Sequence, residues 1–435
     1  MRIDPFAGHP YRKRAWGEGL LLGASAPFLL FPTVFVPGTL VVGLLLAVMW
    51  VWPLPASGRR QWLRPTPLNG ALLLFCLALV LSILVTADPD LTLPKATGLL
   101  LGLTVWRYLT WAAQTDRALV AATWGFVLAG LGFTLIGVVS ANWTVKVPFL
   151  AALLPQRLLS LPEGDSAGVQ TNQLAGTILF YFPLLASLLL GLWGRQAWRN
   201  WRTWGVLAGT AVMGGLLVLT QSRSGWLGGL GGMLVLLALW GLAAAPGRQR
   251  FWLRLALLVA LVALFAGLAV IGPTRLAALW QDPDLETAVG NLGTINFRKE
   301  VWHWGLLAVS DFPFTGTGLG SFRRVIHRFY PTTILPTYDI AHAHNIFLQV
   351  TLDVGLPGLV AYGALLLLVG YMGWQVARHN ERWRALTLGL LAGLAAVHIF
   401  GLTDALALGA KPGLLFWWAL GLLSVLFTET VNGER

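Results

Sequence analysis

Residues 344–358 run from His344-Asn345 through nine residues to Gly355-Leu356-Pro357-Gly358. A histidine therefore stands at the mouth of a long apolar stretch. A titratable side chain at the edge of a membrane-embedded chain is costly and is usually kept for a task. Imidazole can take a proton from a sugar hydroxyl near neutral pH. Arg223 lies in the short polar turn Thr220-Gln221-Ser222-Arg223-Ser224-Gly225, and Arg298 opens the segment 295–309. Guanidinium groups stay charged and fork onto phosphate oxygens. One base and two anion clamps suit an anionic, lipid-linked substrate. Glycosyl transfer from a lipid diphosphate needs a positioned acceptor, a base and a stabilised leaving group. In this reading His344 is the base, Arg223 and Arg298 hold the diphosphate, and Asn345 orients the histidine or a sugar hydroxyl.

Each residue also has a plainer reading. His344 could be an interfacial histidine satisfied by backbone carbonyls. Arg223 could snorkel to lipid headgroups, and Arg298 could be the polar-face charge of an amphipathic helix. Arg323, Arg324 and Arg328 form a basic cluster suited to anionic headgroups, or to added diphosphate or acceptor binding. Asn172 caps a helix or bonds a glycan. His342 and His344 make a His-x-His pair, but no third His or Cys is near in sequence, so no metal site is expected. His303 and His327 read as surface residues. Asp88-Pro89-Asp90 and Asp282-Pro283-Asp284 could hold a diphosphate through a divalent cation, or be acidic turns.

The elements that position these groups follow from composition. Of 435 residues, 56% are hydrophobic and 11% charged, and mean hydropathy is +0.70. Apolar residues run from about 17 to 428, which describes an all-α polytopic membrane protein and leaves no room for a large soluble domain. The formal charge of +12 comes from basic residues in short loops, without the aromatic interleaving of a nucleic-acid surface. That favours contact with membrane lipids and excludes nucleic acid as a partner. Cys76 is alone, so there is neither a disulfide framework nor a thiolate site. The 22 tryptophans fit interfacial belts.

Windows of about 20 apolar residues cross a bilayer. They fall near 17–32, 33–53, 67–86, 92–112, 118–140, 170–193, 204–220, 226–244, 255–272, 344–376, 385–403 and 412–428, twelve spans in all. Gly355-Leu356-Pro357-Gly358 interrupts the tenth, predicting a half-helix or a kink. The basic polar start has no cleavage site behind a short apolar core and reads as a cytoplasmic tail. Alternation then puts Arg12–Arg14, Arg59, Arg60, Arg64, Arg117, Arg195, Arg199, Arg202, Arg248, Arg250, Arg254, Arg378, Arg382 and Arg384 inside, as the positive-inside rule requires. Asp88, Asp90, Asp404 and Lys411 fall outside. The expected organisation is residues 1–272 carrying nine spans, an outer subdomain over 273–343, and three spans over 344–435 ending in the cytoplasm. Within the outer subdomain, Phe297, Val301, Trp304, Leu307 and Ala308 recur at helical spacing and predict an amphipathic helix on the outer surface.

With these residues in place, the chain resembles the O-antigen ligase and O-antigen polymerase superfamily. The resemblance rests on a long outer loop before His344-Asn345, nine residues, then Gly355-x-x-Gly358. Arg298-(x)3-Trp302 and Pro313-(x)2-Gly316-x-Gly318-x-Gly320-x-Phe322 resemble the approach to that motif, and Ser222-Arg223-Ser224-Gly225 resembles the family's arginine turn. Motif content covers about 170–370. The resemblance implies a GT-C-like fold, a polyprenyl diphosphate glycan donor such as an undecaprenyl-linked glycan, and metal-independent inverting transfer without a cofactor. It implies a bacterial inner membrane location and a role in lipopolysaccharide or other cell-envelope polysaccharide synthesis. The acceptor stays open between a lipid A-core, another lipid-linked repeat and protein.

Two other classes compete. A transporter or flippase of a lipid-linked or anionic solute would explain the spans and outward arginines, but requires ionisable groups deep in the spans and repeat symmetry, neither visible in the sequence. An intramembrane serine protease using Ser222 or Ser224 with His344 would leave the long charged loop without a role.

Overall fold

A computed structural model describes residues 4–6, 8–54, 61–141, 143, 170–192, 200–244, 246–281, 293–336 and 339–433. Among these residues the regular structure is helical apart from one isolated bridge, Leu54 to Gln61. The helices are α1 (Arg12–Leu30), α2 (Val36–Val51), α3 (Asn69–Leu84), α4 (Pro89–Ala112), α5 (Asp116–Ser140), α6 (Thr171–Leu179), α7 (Phe182–Leu192), α8 (Trp201–Leu219), α9 (Arg223–Ala243) and α10 (Arg248–Ile271). Then come α11 (Pro273–Gln281), α12 (Gly293–Asp311), α13 (Phe322–Phe329), α14 (Ile346–His379), α15 (Arg384–Phe400), a 3-10 turn (Lys411–Gly413) and α16 (Leu414–Gly433).

Seven helical stretches are long and apolar enough to cross a membrane: Asp116–Ser140, Thr171–Leu192, Trp201–Leu219, Arg223–Ala243, Arg248–Ile271, Ile346–His379 and Lys411–Val431. The helices α2, α3 and α15 are apolar but shorter. The chain is an integral membrane protein. Helix occupies every window expected to span, but α1 and α4 carry charges inside their length, so length and hydropathy alone do not mark them as crossings. Glu18 of α1 and Arg107 of α4 pair at 3.8 Å, and Arg14 bonds the other Glu18 oxygen at 2.6 Å. Arg107 is fully buried, so ionisable groups do lie within the bundle, contrary to the sequence expectation. Each sits about one and a half turns from its helix end, nearer a rim than the centre.

The last helix, α16, occupies the middle of the bundle. Trp417 is buried there, and Trp106 of α4 donates to Ser424 at 3.3 Å. At the other extreme, α10 is peripheral, with Val262, Phe265 and Val270 exposed, as expected of side chains that meet lipid.

The tenth expected span is interrupted where anticipated. Gly355 adopts φ 72° and ψ 178°, splitting α14 in two. In an unbroken helix the Leu356 N–H would bond the Leu352 carbonyl. Here Leu356 donates to Pro313 O at 2.7 Å, and Leu352 O accepts from the Thr317 N–H at 2.8 Å. The turn 312–321 thus takes over both groups that the kink releases. A Cβ on Gly355 would lie 2.3 Å from Phe314 O, and one on Gly316 would lie 2.3 Å from Leu352 O. Both glycines have positive φ, so the interlock requires them twice over.

Above the kink, α12 and α13 build a small core of their own with the start of α14. Val301, Ala308, Phe322, Val325, Ile326, Ile340, Ala343 and Leu352 are buried together, with Phe297 and Trp304 packed against them. The helix predicted over 295–309 is present, but its buried stripe is Phe297, Val301, Trp304 and Ala308, packed on protein. Leu307, assigned to that stripe from its spacing, is exposed beside Leu306.

Substituting Gly355 by Ala should lower the thermal midpoint of the detergent-solubilised protein by the equivalent of roughly 2 kcal/mol or more, from left-handed strain plus the Phe314 contact. Gly363 of the same helix has open space where a Cβ would stand, so Gly363→Ala should leave the midpoint unchanged or raised. Equal midpoints for both variants would mean that the interlock does not hold the fold.

Candidate functional site

The site is built around Asp404, in the loop between α15 and α16. This carboxylate is only 2% exposed, so its charge must be met by protein groups. They arrive from three other segments. Asn172 of α6 donates its amide to Oδ2 at 2.7 Å. Arg298 of α12 places Nη2 3.9 Å from the same oxygen. His342 Nε2 and His344 Nδ1 stand 3.4 and 3.6 Å from Oδ1, which also accepts the Ala405 N–H at 2.9 Å.

The loop before α14 aims the histidines. His344 has φ +50°, a left-handed conformation that a non-glycine residue adopts only when its surroundings impose it. It turns the His344 N–H back onto His342 Nδ1 at 3.2 Å and brings the rings to 4.3 Å between centroids, tilted by 59°. Because Nδ1 of His342 accepts, the neutral ring carries its proton on Nε2 and presents it to Asp404. Phe297 packs edge-on against His344 at 5.4 Å. Trp302 donates to Ala343 O at 3.0 Å and Gln349 accepts the Ala343 N–H at 2.7 Å. Gln349 also donates to Asp353 at 2.9 Å, and Asp353 accepts the Gly320 N–H at 2.9 Å. The glycine-rich turn and the histidine loop are therefore held by one chain of hydrogen bonds.

Asn345 caps α14, accepting the N–H groups of Phe347 and Leu348 at 3.0 Å each. Its amide donates to Leu402 O at 3.1 Å, and Ile346 N–H donates to Gly401 O at 2.7 Å. It thus positions His344 through the backbone and locks the Asp404 loop to the start of α14. Arg223 opens α9 behind the Ser222 cap, whose hydroxyl accepts the Gly225 N–H at 3.1 Å. Thr403, next to Asp404, donates to Ser224 at 2.8 Å, and Arg223 is within electrostatic reach of Arg298.

Burial alone would raise the Asp404 carboxyl. The His344 contact and the fields of His342 and His344 outweigh it and hold the group at about 2. Burial pushes His342 down to about 3 against the pull of Asp404, so it stands neutral beside an ionised carboxylate. Burial also lowers Arg298, with Asp404 opposing and Arg223 assisting; a guanidinium stays charged regardless.

The structure brings together Arg298, His344 and, through Arg298, Arg223. It does not bring Arg323 and Arg324 into contact with that group: Arg323 forks onto Asp339, and Arg324 is 3.6 Å from Asp88. Asn172 is the second residue of α6, behind Gln170, and holds Asp404. Asp88 caps α4, accepting from Leu91 at 3.3 Å; Asp282 and Asp284 lie outside the described residues. Asp404 was the group the sequence did not single out. Its signal was a lone carboxylate in an otherwise apolar short loop. It supplies the third member the His-x-His pair lacked: His342, His344 and Asp404 offer ligand atoms all within 4.8 Å of one another, a spacing open to a metal ion. Arg298 beside the carboxylate opposes a second cation there. A cavity of about 360 Å³ lined by Trp16, Leu20, Leu101, Leu109 and Trp418 is apolar and includes none of these residues.

Residues 208–363 match the family Wzy_C, described as O-antigen ligase. The chain carries a domain of the O-antigen ligase family. The matched stretch contains Arg223, Arg298, His342, His344 and the Gly355-x-x-Gly358 kink, and stops short of Asp404. The family makes this a membrane enzyme of glycan transfer in general, with a lipid-linked glycan and an acceptor as its substrates. No curated protein matches the chain.

His342 sets a pH dependence of stability in this O-antigen ligase domain. Unfolded, the ring titrates near 6.5; folded, near 3. Between these values the unfolded chain binds a proton that the folded chain refuses, so stability falls as pH drops through that window. Asp404, held at about 2 from an ordinary 3.8, adds stability lost only at lower pH. Melting midpoints of His342→Gln should therefore decline less than wild type from pH 6.5 to 4. A parallel decline would assign the acid sensitivity elsewhere.

Proposed function

We propose that the chain transfers a glycan from a polyprenyl diphosphate to a hydroxyl of a glycan or lipid A-core acceptor, without a metal, at the non-cytoplasmic face of a bacterial inner membrane. The observation that carries this reading is the meeting of His344 and Arg298, both inside the family-matched stretch, on the buried carboxylate of Asp404. Asp404 draws the Nδ1 side of His344 and leaves Nε2 as the proton acceptor. The acceptor hydroxyl gives its proton to Nε2 while its oxygen attacks the anomeric carbon. The bond from that carbon to the diphosphate oxygen breaks, and the departing charge goes to Arg298 and Arg223. A single displacement inverts the anomeric centre. The basic loops at the opposite helix ends, among them Arg12–Arg14, Arg117, Arg202, Arg248 and Arg382, support this orientation. The reading extends to twelve crossings and a GT-C-like architecture.

In a reconstituted assay with a polyprenyl diphosphate oligosaccharide, His344→Ala should lose at least about a hundredfold in turnover, while donor binding and melting stay near wild type. Arg298→Lys and Arg223→Ala should each slow transfer by about tenfold to a hundredfold. Near-normal turnover in the histidine variant would remove it as the base; normal kinetics in both arginine variants would remove the clamp. Longer lipid-linked chains among the products would identify a polymerase, and capped lipid A-core a ligase.

Transfer should also survive EDTA. If chelation abolished activity and Zn²⁺ or Mn²⁺ restored it, the His342–His344–Asp404 cluster would be a working metal site and the metal-free displacement would be wrong.

A further inference from the structure

Lys95 of α4 reaches the same region and no step above employs it. Its helix is pressed against the Asp404 loop: a Cβ on Gly98 would lie 2.2 Å from Gly409 O, and one on Gly409 would lie 2.3 Å from Lys95 O. The Lys95 side chain runs beside the glycine-rich turn, its Cγ 3.2 Å from where a Cβ of Gly320 would stand. Protein atoms surround it closely, yet it is only half-buried by surface area. Its side chain is thus crowded by protein atoms and still open along part of its length. Lys95 lies within electrostatic reach of Asp353, Arg323 and Lys411, and His342 feels both Lys95 and Arg298.

Asp353 does not complete the ammonium by contact. Its Oδ1 is used by Gly320 N–H and the Gln349 amide, and among the described residues no carboxylate lies within 4.0 Å of Lys95. An enclosed ammonium without a contact counter-charge is costly and is a ready partner for an entering anion. We propose that Lys95 is a second phosphate-binding cation beside the His342–His344–Asp404 cluster, presented from α4 between the glycine-rich turn and the loop that carries Asp404. This rests on the glycan-transfer reading and deepens it. The phosphate comes from the donor's diphosphate or from a phosphorylated acceptor.

The test uses the full chain in detergent, with Lys95→Gln and Lys95→Arg. Binding is measured for undecaprenyl diphosphate, for a phosphorylated lipid A-core and for the same core after phosphatase. Lys95→Gln should weaken one phosphorylated ligand about tenfold, the scale of one charge-assisted bond, while Lys95→Arg stays close to wild type. Loss confined to undecaprenyl diphosphate identifies the donor as the source. Loss confined to the phosphorylated core, with the dephosphorylated core unchanged, identifies the acceptor. In the wild-type chain, acetic anhydride labelling of Lys95, read by mass spectrometry, should fall when that ligand is added; this needs no variant to fold. Unchanged binding in Lys95→Gln, or undiminished labelling, overturns the proposal. If that occurs while Arg298→Lys weakens undecaprenyl diphosphate, the transfer reading stands and only Lys95 is dismissed. If wild type binds neither phosphorylated ligand, both fall.

Discussion

A single buried negative charge organises the functional end of this protein. Asp404 is sealed from water, so the fold must bring donors and cations to it or lose it as an ion. Asn172, Arg298, His342 and His344 answer from α6, α12 and the loop before α14. Each is far from Asp404 in sequence. The carboxylate therefore works as a fastener between the bundle and the small core built by α12 and α13. Asp404 also faces the Nε2 of His342 and the Nδ1 of His344 with the same oxygen. Breaking such a buried set leaves an uncompensated charge and is expected to be more costly than breaking any surface pair.

The second constraint is the exchange of hydrogen bonds at Gly355. A helix end or kink inside a membrane leaves polar backbone groups that lipid cannot satisfy. The turn 312–321 satisfies them, through Pro313 O and Thr317 N–H. It is thereby docked onto α14 within hydrogen-bond tolerance. From there Gly320, Asp353, Gln349 and Ala343 carry the registration on to the histidines. The kink is thus a socket for the loop, and the glycines on both sides exist because backbone meets backbone there.

How much of this could be read beforehand depends on the type of signal. Apolar runs located the helices because the hydropathy contrast with the basic loops is large. The kink was legible from Gly355-Leu356-Pro357-Gly358, and Arg223, Arg298 and His344 from residue type and position. The helix over 293–311 was legible but its inner face was not. Leu306 and Leu307 are as apolar as the buried stripe, and periodicity cannot assign a face when both faces carry apolar residues. Asp404 and Lys95 were missed for another reason. Asp404 follows His344 by an entire helical hairpin, and Lys95 precedes it by about 250 residues, in a different part of the chain. Neither belongs to a local pattern; only the fold, which sets α15 beside α14 and α4 against the glycine-rich turn and the loop that carries Asp404, brings them to the same end of the bundle. Asn345 and Asn172, read from the sequence as polar residues of interest, both act on protein groups, one as a helix cap and one as a donor to a carboxylate.

The net charge of +12 carries two meanings that sequence alone merges. At one set of helix ends the arginines lie in short loops and suit headgroups and topology. At the other, Arg298 and two histidines meet on a buried carboxylate. Arg298 stands 3.9 Å from Asp404, beyond a tight hydrogen bond. Asn172 and the histidines already meet much of the carboxylate's demand. A guanidinium held near, without being locked to its counter-charge, keeps its fork for an incoming phosphate. A clamp of this kind can bind an anionic leaving group and still release it, which repeated turnover requires.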